Sequence, residues 1–451
     1  MTLDVVMTSN VESFREGEDE NNNEIIYYLE DGSGFDLNWT ILPAQDPWQK
    51  LAAMMAGGNP PDVVYCPDKG VFAEYLHRNA LADLTDYVAQ AENIQRLVPE
   101  DTWSAVTWDG RIYAVPIPQN QHISGSTGMF TRLDWLEELG LEKPETLDEF
   151  RDVLSVIKEE KGVIPLTTTP GNGVLDGFSG AFGIGTTYKV KDGEVVFSYV
   201  QPEALEYLTY MKGLYAEGLL DQEFPVNESA NVQEKLVADQ AAMSITGWWD
   251  ALPIGTNFKD KHGEDAVLEY IAPPHGDEEG EFGVARRGPI RTYLLIPAQS
   301  EHVQEAVDFL DFMCREDVYT FVSFGEEGVH YEVRDGEYYL LDEYQNRRFQ
   351  MYYVLVDTQE GFAVRLRDKG FKEYSDQVVD WYTLRPISQY APPMPEVMGI
   401  STDISNLTEE YFVQFITGDL PLDAFDEYVS EWEALGGKDA VAALNDWYQT
   451  Q

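Results

Sequence analysis

Phe35-Asp-Leu-Asn-Trp-Thr-Ile-Leu42, then Asp46-Pro-Trp-Gln-Lys-Leu-Ala-Ala-Met-Met-Ala-Gly-Gly58, then Val63-Val-Tyr65 decide the fold class. In the first stretch Phe35, Leu37, Trp39 and Ile41 alternate with Asp36, Asn38 and Thr40, the period of two expected of a half-buried strand. Trp39 is therefore read as core. Asp46 and Pro47 are an N-cap and first-turn pair, and Gly57-Gly58 ends the helix they start. Asn59-Pro-Pro-Asp62 is a turn, and Val63–Tyr65 is a short buried strand. Upstream, Val5–Ser9 reads as a strand, and acidic Glu16–Glu24 as a solvated loop or helix start. Strand, strand, helix, strand within 65 residues is an α/β layer pattern.

Further along, Val71–His77 reads as a helix, and Asp109-Gly110 turns the chain into the strand Ile112–Ile117. Pro116 and Pro118 mark its end as a crossing between domains. Thr146-Leu-Asp-Glu149 is a capping box. Gln201-Pro202 opens a helix with Leu205, Leu208, Met211 and Tyr215 on one face, ending at Gly218. A helix at Val232–Ala238 and a strand at Ala242–Thr246 lead to an expected loop, Gly247-Trp248-Trp249-Asp250. Ala272–Gly276 is a second crossing. Thr292–Pro297 is a strand, with Ser300 expected to cap the next helix. The prolines at 386, 392, 393 and 395 mark an irregular stretch before three closing helices.

Length and composition bound the function. At 451 residues the chain suits two or three domains. No run of about 18 apolar residues is present, so no membrane span is expected. No leader precedes the strand-like Thr2–Met7; for an exported chain it would have been removed. Asp and Glu number 81 against 30 Lys and Arg, a net charge of −51. That argues against nucleic acid as a partner, so none is expected, and against anionic membrane surfaces. Cys66 and Cys314 belong to no CxxC pair and His is scarce, so no metal or other cofactor is expected. Whether the two cysteines pair is left open. Asp31-Gly-Ser-Gly-Phe-Asp36 has calcium-like spacing for a few positions but no closing Glu.

No catalytic motif stands out. GxSxG, HExxH and a P-loop are absent, and the glycine run Gly177–Gly185 follows no clear strand. With so many carboxylates, an acid pair of glycosidase type has no weight. The aromatics are more informative: 10 Trp and 26 Tyr. Sugars offer apolar C–H faces and hydroxyl edges, so a sugar site wants flat rings beside amide, carboxylate or guanidinium groups. Trp248, Trp249 and Asp250 have that character after a buried strand, where ligands bind in α/β sheets. Asn10, Asp68, Gln119, Gln121 and His122 follow strands in the same way, though 119–122 reads equally as a polar loop. Arg286, Arg287 and Arg291 are conspicuous in so acidic a chain. They suit hydroxyl or carboxylate recognition, or salt bridges to the acidic surface.

The order of several segments resembles the extracellular solute-binding proteins of ABC importers, in the oligosaccharide-binding branch that includes alginate-binding proteins and Gram-positive lipoproteins. The stretches are Lys50–Val64, Trp108–Pro116, Thr131–Phe150, Tyr215–Glu223 and Phe324–Tyr331, and they cover most of the chain to about residue 335. The resemblance implies an α/β, two-lobed periplasmic-binding-protein fold with a ligand cleft between lobes and multiple hinge crossings. The lobes are expected at 1–118 plus about 272–350 and at 119–271 plus about 351–451. It also implies a monomer, lipid-anchored on the extracellular face or periplasmic, that captures an oligosaccharide by hinge closure and delivers it to permease subunits. The sugar is expected to be neutral or weakly charged. Trp248 matches a position that commonly stacks on sugar. Relatives often carry a calcium loop after the helix matching Glu149–Lys158; here Glu159–Pro165 lacks the ligand spacing, so no calcium is expected there. A glycoside hydrolase or lyase, and a surface glycan receptor uncoupled from transport, are the competing readings.

Overall fold

The computed structural model describes residues 1–8, 13–58, 60–119, 127–171, 176–263, 266–276, 283–285, 288–368, 381 and 383–451, with backbone alone at 127, 248–253, 365 and 368. Two main sheets are built from strands β1 (Thr2–Thr8), β2 (Asp36–Leu42), β3 (Val63–Cys66), β4 (Val115–Pro118), β5 (Thr127–Arg132), β6 (Ile164–Thr167), β7 (Ala241–Gly247), β8 (Leu268–Ile271) and β9 (Ile290–Leu295). The chain divides into two compact units: 1–120 with 288–368 and 389–398, and 121–287 with 369–388 and 399–451. These boundaries fall later than the expected crossings near 271 and 350. Val284 N donates to Trp381 O at 2.8 Å, holding 283–285 in the second unit. Tyr353 to Val356 pack into the core of the first.

In unit 1 the sheet order is β2-β1-β3-β9-β4. β1 runs parallel to β2 and β3, with Val5 opposite Trp39 and Val63. β9 runs antiparallel to β3 and β4. Adjacent valines serve opposite faces, as the pleat requires. Val5 and Val63 join a core with Ile25, Ile26 and Leu29 of helix Glu24–Ser33. Val6 and Val64 join another with Phe72 and Leu76 of helix Lys69–His77. Trp39 is core, as expected, with ring centroids 5.6 Å from Tyr65 and 5.0 Å from Tyr353. Cys66 and Cys314 are both free thiols and buried. Arg347, fully buried, donates to Glu24, to Gln350 Oε1 at 3.0 Å and to the carbonyls of Phe321 and Val322 at 3.1 and 3.3 Å.

Several local expectations change. Asp31–Ser33 is the last turn of helix Glu24–Ser33, and Gly34 ends it at φ 76°, so the calcium-like spacing belongs to a helix terminus. Asp46 precedes helix Pro47–Ala56 but sits at φ 52° and makes no side-chain cap bond. Ser300 does not cap the helix Val303–Met313. Its hydroxyl donates to Asp62 Oδ1 at 2.6 Å and accepts from His302 N, and His302 holds the cap position.

In unit 2 the order is β8-β5-β7-β6. β7 is buried along its whole length, parallel to β6 and antiparallel to β5. Thr146 and Glu149 form the capping box of helix Leu147–Lys161. Helix Pro202–Ala216 buries Ala204, Tyr207, Leu208, Met211 and Leu214. Leu208 and Met211 are core as expected, whereas Leu205 is exposed and Tyr215 half-buried, because Ala204, Tyr207 and Leu214 complete the buried stripe. Beside edge strand β6, where Asp221 N donates to Leu166 O at 2.8 Å, Lys235 Nζ donates to Asp221 Oδ2 at 2.7 Å, Glu223 Oε2 at 2.9 Å and Asn227 Oδ1 at 3.0 Å. Burial raises the Asp221 carboxyl, but hydrogen bonds from Lys235, Thr167, the Glu223 amide and Asn227 outweigh it and hold the carboxyl below its ordinary value.

Candidate functional site

The strand directions of unit 1 gather one edge. β1, β2, β3 and β4 all end there, and antiparallel β9 begins there. The chain leaves β1 outward to β2 on one side and reaches β3 on the other. The carboxyl ends of β1 and β3 therefore flank a topological switch point, where α/β sheets bind ligands. Asp68, Gln119 and Arg291, chosen from far-apart stretches of sequence, lie at this edge. Asn10, Gln121, His122 and Arg287 lie outside the described residues.

Each of the three has a local anchor. Asp68 caps helix Lys69–His77, its Oδ1 accepting from Gly70 N at 2.7 Å and Val71 N at 3.2 Å. Gln119 is buried, and its backbone N donates to Pro289 O at 2.7 Å. Arg291 falls where the β9–β4 register shifts between Ile290 and Thr292. Its Nη1 donates to Leu355 O at 3.0 Å and Val354 O at 3.3 Å, so its guanidinium is oriented by backbone carbonyls. Sequence reasoning missed Lys69, in the first turn beside Asp68. Its Nζ donates to Ala391 O at 2.9 Å, and desolvation pulls its pKa down to about 7.

Unit 2 has an equivalent edge at the carboxyl ends of β6, β7 and β8 and the start of β5. Helix Trp248–His262 starts directly after Gly247. The expected loop at Trp248, Trp249 and Asp250 is thus the first helical turn, placed immediately beyond the carboxyl end of a central strand. Tyr270 OH donates to Thr246 O at 3.3 Å on the same edge. A Cβ on Gly128 would come 2.5 Å from the Tyr270 ring and 3.6 Å from Trp381, so the missing side chain makes room for two aromatics. Trp381, buried here, was not among the sequence candidates.

The glycine run 177–185 is a packing device. A Cβ on Gly177 would press on Ile245 at 2.6 Å, and one on Gly180 would overlap Gly283 O. Among the described residues, no cluster of three His, Cys, Asp or Glu is arranged to hold a metal ion.

The family described as "Bacterial extracellular solute-binding protein" matches residues 27–322. The chain is similar to the lipoprotein LipO of Bacillus subtilis, 25% identical over 94% of this chain and 88% of that one. It is also similar to the polygalacturonan/rhamnogalacturonan-binding protein YtcQ of the same organism, 23% identical over 92% and 86% of the two chains. Among solved structures, an HMO-binding, ABC-transporter-associated solute-binding protein from Bifidobacterium longum infantis shares the fold. Its TM-score is 0.74 at 18% identity, over 99% of this chain and 98% of that one.

Proposed function

Because this chain belongs to the bacterial extracellular solute-binding proteins, we propose that it is the substrate-binding subunit of an ABC importer, capturing an oligosaccharide by hinge closure and handing it to permease subunits. The observation that carries the reading is the position of Trp248-Trp249-Asp250. An aromatic pair and a carboxylate begin a helix directly after the carboxyl end of buried β7. Flat rings recognise the apolar face of a sugar, and a carboxylate accepts its hydroxyl protons. Asp68, Gln119 and Arg291 at the unit 1 edge supply the other polar groups.

The relatives support this ligand class. YtcQ is described as a binder of polygalacturonan and rhamnogalacturonan, and the Bifidobacterium protein as HMO-binding. Both are named as binding proteins, which supports capture without turnover. LipO is described as a lipoprotein, which supports an anchor on the extracellular face of the membrane.

The test is a thermal-shift screen of the purified chain against neutral and weakly acidic oligosaccharides, since a ligand held only by the folded state raises its melting temperature. One glycan class should shift it and be recovered uncleaved. Trp248→Ala should weaken that ligand by roughly 1–3 kcal/mol. Cleaved product would favour the glycosidase or lyase reading. Unchanged affinity with a lowered melting temperature would assign Trp248 to the core.

A further inference from the structure

We propose that unit 1 holds a second site, separate from the carboxyl edge of its sheet, which takes a small organic cation of the quaternary ammonium class. The cavity measures about 670 Å³, within the range of small-molecule sites. Its rings are Tyr28, Phe321, Tyr331 and Tyr338, and its acids are Glu316 and Asp317. These residues come from two helices and a hairpin, and none belongs to the edge where Asp68, Gln119 and Arg291 lie.

Three elements bring the rings together. Helix Glu24–Ser33 supplies Tyr28, which stacks on Phe321 of helix Glu316–Phe324 with ring centroids 3.9 Å apart. Asp317 and Phe321 are four apart on that helix, so the acid and the ring share a face. In the hairpin of Tyr331–Arg334 with Glu337–Leu340, Tyr331 lies opposite Leu340 and Val333 opposite Tyr338, which puts both tyrosines on one face. Their rings stack at 5.1 Å, and Tyr338 stacks on Phe324 at 4.7 Å. Gly325 ends the helix at φ 85° and also lines the cavity. A Cβ there would come 2.6 Å from His330 Nδ1, which is held by accepting from Glu326 N at 3.0 Å. The hairpin is pinned by Leu341 N donating to His330 O at 2.9 Å and Arg367 Nη1 donating to Tyr338 O at 2.8 Å.

The lining selects for positive charge. Aromatic faces attract cations, quaternary ammonium groups above all. Among the described residues, the Glu316 carboxylate has no ion-pair or hydrogen-bond partner, and neither has the hydroxyl of Tyr331, a residue only 8% exposed. The neighbouring cations are engaged elsewhere. Arg315 grips Asp317, with Nη2 at 2.6 Å from Oδ2 and Nε at 3.1 Å from Oδ1. Arg334 and Arg367 lie 5.0 and 4.9 Å from the Tyr339 ring, on the other face of the hairpin. Arg347 pairs with Glu24 and lies 5.1 Å from the Phe321 ring, so one ring of the set already receives a cation in this way. Burial raises the Tyr338 phenol, and Glu360, Glu316 and Glu327 add to the rise, so the field of three carboxylates converges on these rings. A neutral sugar is served less well, because its hydroxyl oxygens accept from N–H donors, and the described lining includes no Asn, Gln, Lys or Arg.

The experiment is calorimetric titration of the full chain at low ionic strength with choline chloride, with the uncharged tert-butyl isostere of choline, and with sodium chloride. Choline should bind, and neither the isostere nor sodium should. Tyr28→Leu and Tyr338→Leu should each weaken choline roughly tenfold, whereas Tyr338→Phe, which keeps the ring, should not. Glu316→Gln should weaken it about threefold at low salt and match the wild type at high salt, where exposed charges are screened. Tyr28 is half-buried on a helix, so its replacement keeps the fold, which the melting temperature checks. The proposal is overturned if choline does not bind, if the isostere binds equally well, or if Tyr28→Leu and Tyr338→Leu both keep wild-type affinity. It falls too if these variants abolish the oligosaccharide thermal shift and spare choline, since the cavity is then a sugar subsite. Failure of the sugar screen leaves the choline titration readable, so the two readings fail separately.

Discussion

Replacing Lys235 by Met tests whether the polar cluster beside edge strand β6 of unit 2 is held by charge. The ammonium is the cation facing Asp221, whose side chain is 2% exposed. Deleting one partner of a buried pair costs about 3–5 kcal/mol, because the remaining charge is stranded. Asp221 would keep the Thr167 hydroxyl at 2.7 Å, the Asn227 amide at 2.9 Å and the Glu223 N–H at 3.0 Å. Those donors place the cost at the lower end, about 3 kcal/mol. In a unit of this size that is a drop of roughly 6–12 °C in its melting transition, read by calorimetry. The pH dependence has a definite sign. The Asp221 carboxyl is lowered in the folded state, so its contribution is present above the ordinary carboxylate pKa and lost as pH falls through the folded value. The gap between wild type and Lys235→Met should therefore narrow in acid. Lys235→Met combined with Asp221→Asn, which removes the stranded charge, should recover most of the loss. If the double variant melts as low as the single one, packing of the lysine stem rather than charge holds the cluster.

Arg347→Met should destabilise unit 1 by about 2–4 kcal/mol in urea unfolding, since it removes the guanidinium donor to the Val322 carbonyl and leaves Glu24 with Arg15 alone. Burial raises the Glu24 carboxyl, but Arg347 outweighs it and the net shift is down. The pairing therefore stabilises above the ordinary carboxylate range and fades as pH falls through the lowered value. A cost that is the same at acid and neutral pH would refute that role. Gly180→Ala should cost at least about 1–3 kcal/mol, because its Cβ would meet the backbone oxygen of Gly283, which cannot rotate away. A variant as stable as wild type would show that segment 283–285 yields freely. Burial pushes the Cys66 thiol up to about 12 and the Cys314 thiol higher still, so neither should label with a thiol reagent at mildly alkaline pH until the chain unfolds. Rapid labelling of the native protein would contradict their burial.

Elements that announce themselves locally were legible in the sequence. Alternation placed Trp39 in the core, the Thr146–Glu149 spacing gave a helix start, and Val63–Tyr65 read as a buried strand. The failures are where a side chain had two local options. Asp46 could cap or take a left-handed turn. Ser300 could cap or reach Asp62, 238 positions away. Of the candidate site, the rule that ligands meet the carboxyl ends of strands led to Asp68 and Gln119, and the scarcity of cations led to Arg291; the sheet assembles all three on one edge. Lys69 and Trp381 were missed because nothing in their immediate neighbourhood marks them. Lys69 matters through a carbonyl at Ala391, and Trp381 through the missing side chain of Gly128.

Neither unit is a continuous piece of chain, and this governs how the protein is made. β9 must be inserted between β3 and β4 from far downstream, and unit 1 is complete only when residues 389–398 have arrived. Closing such long loops is slow, because chain entropy is spent before the contacts that repay it exist. Synthesis from the N-terminus therefore finishes unit 1 only after residue 398 has emerged. Until β9 arrives, β3 and β4 lack the strand that joins them, so the unit 1 sheet cannot be completed before then.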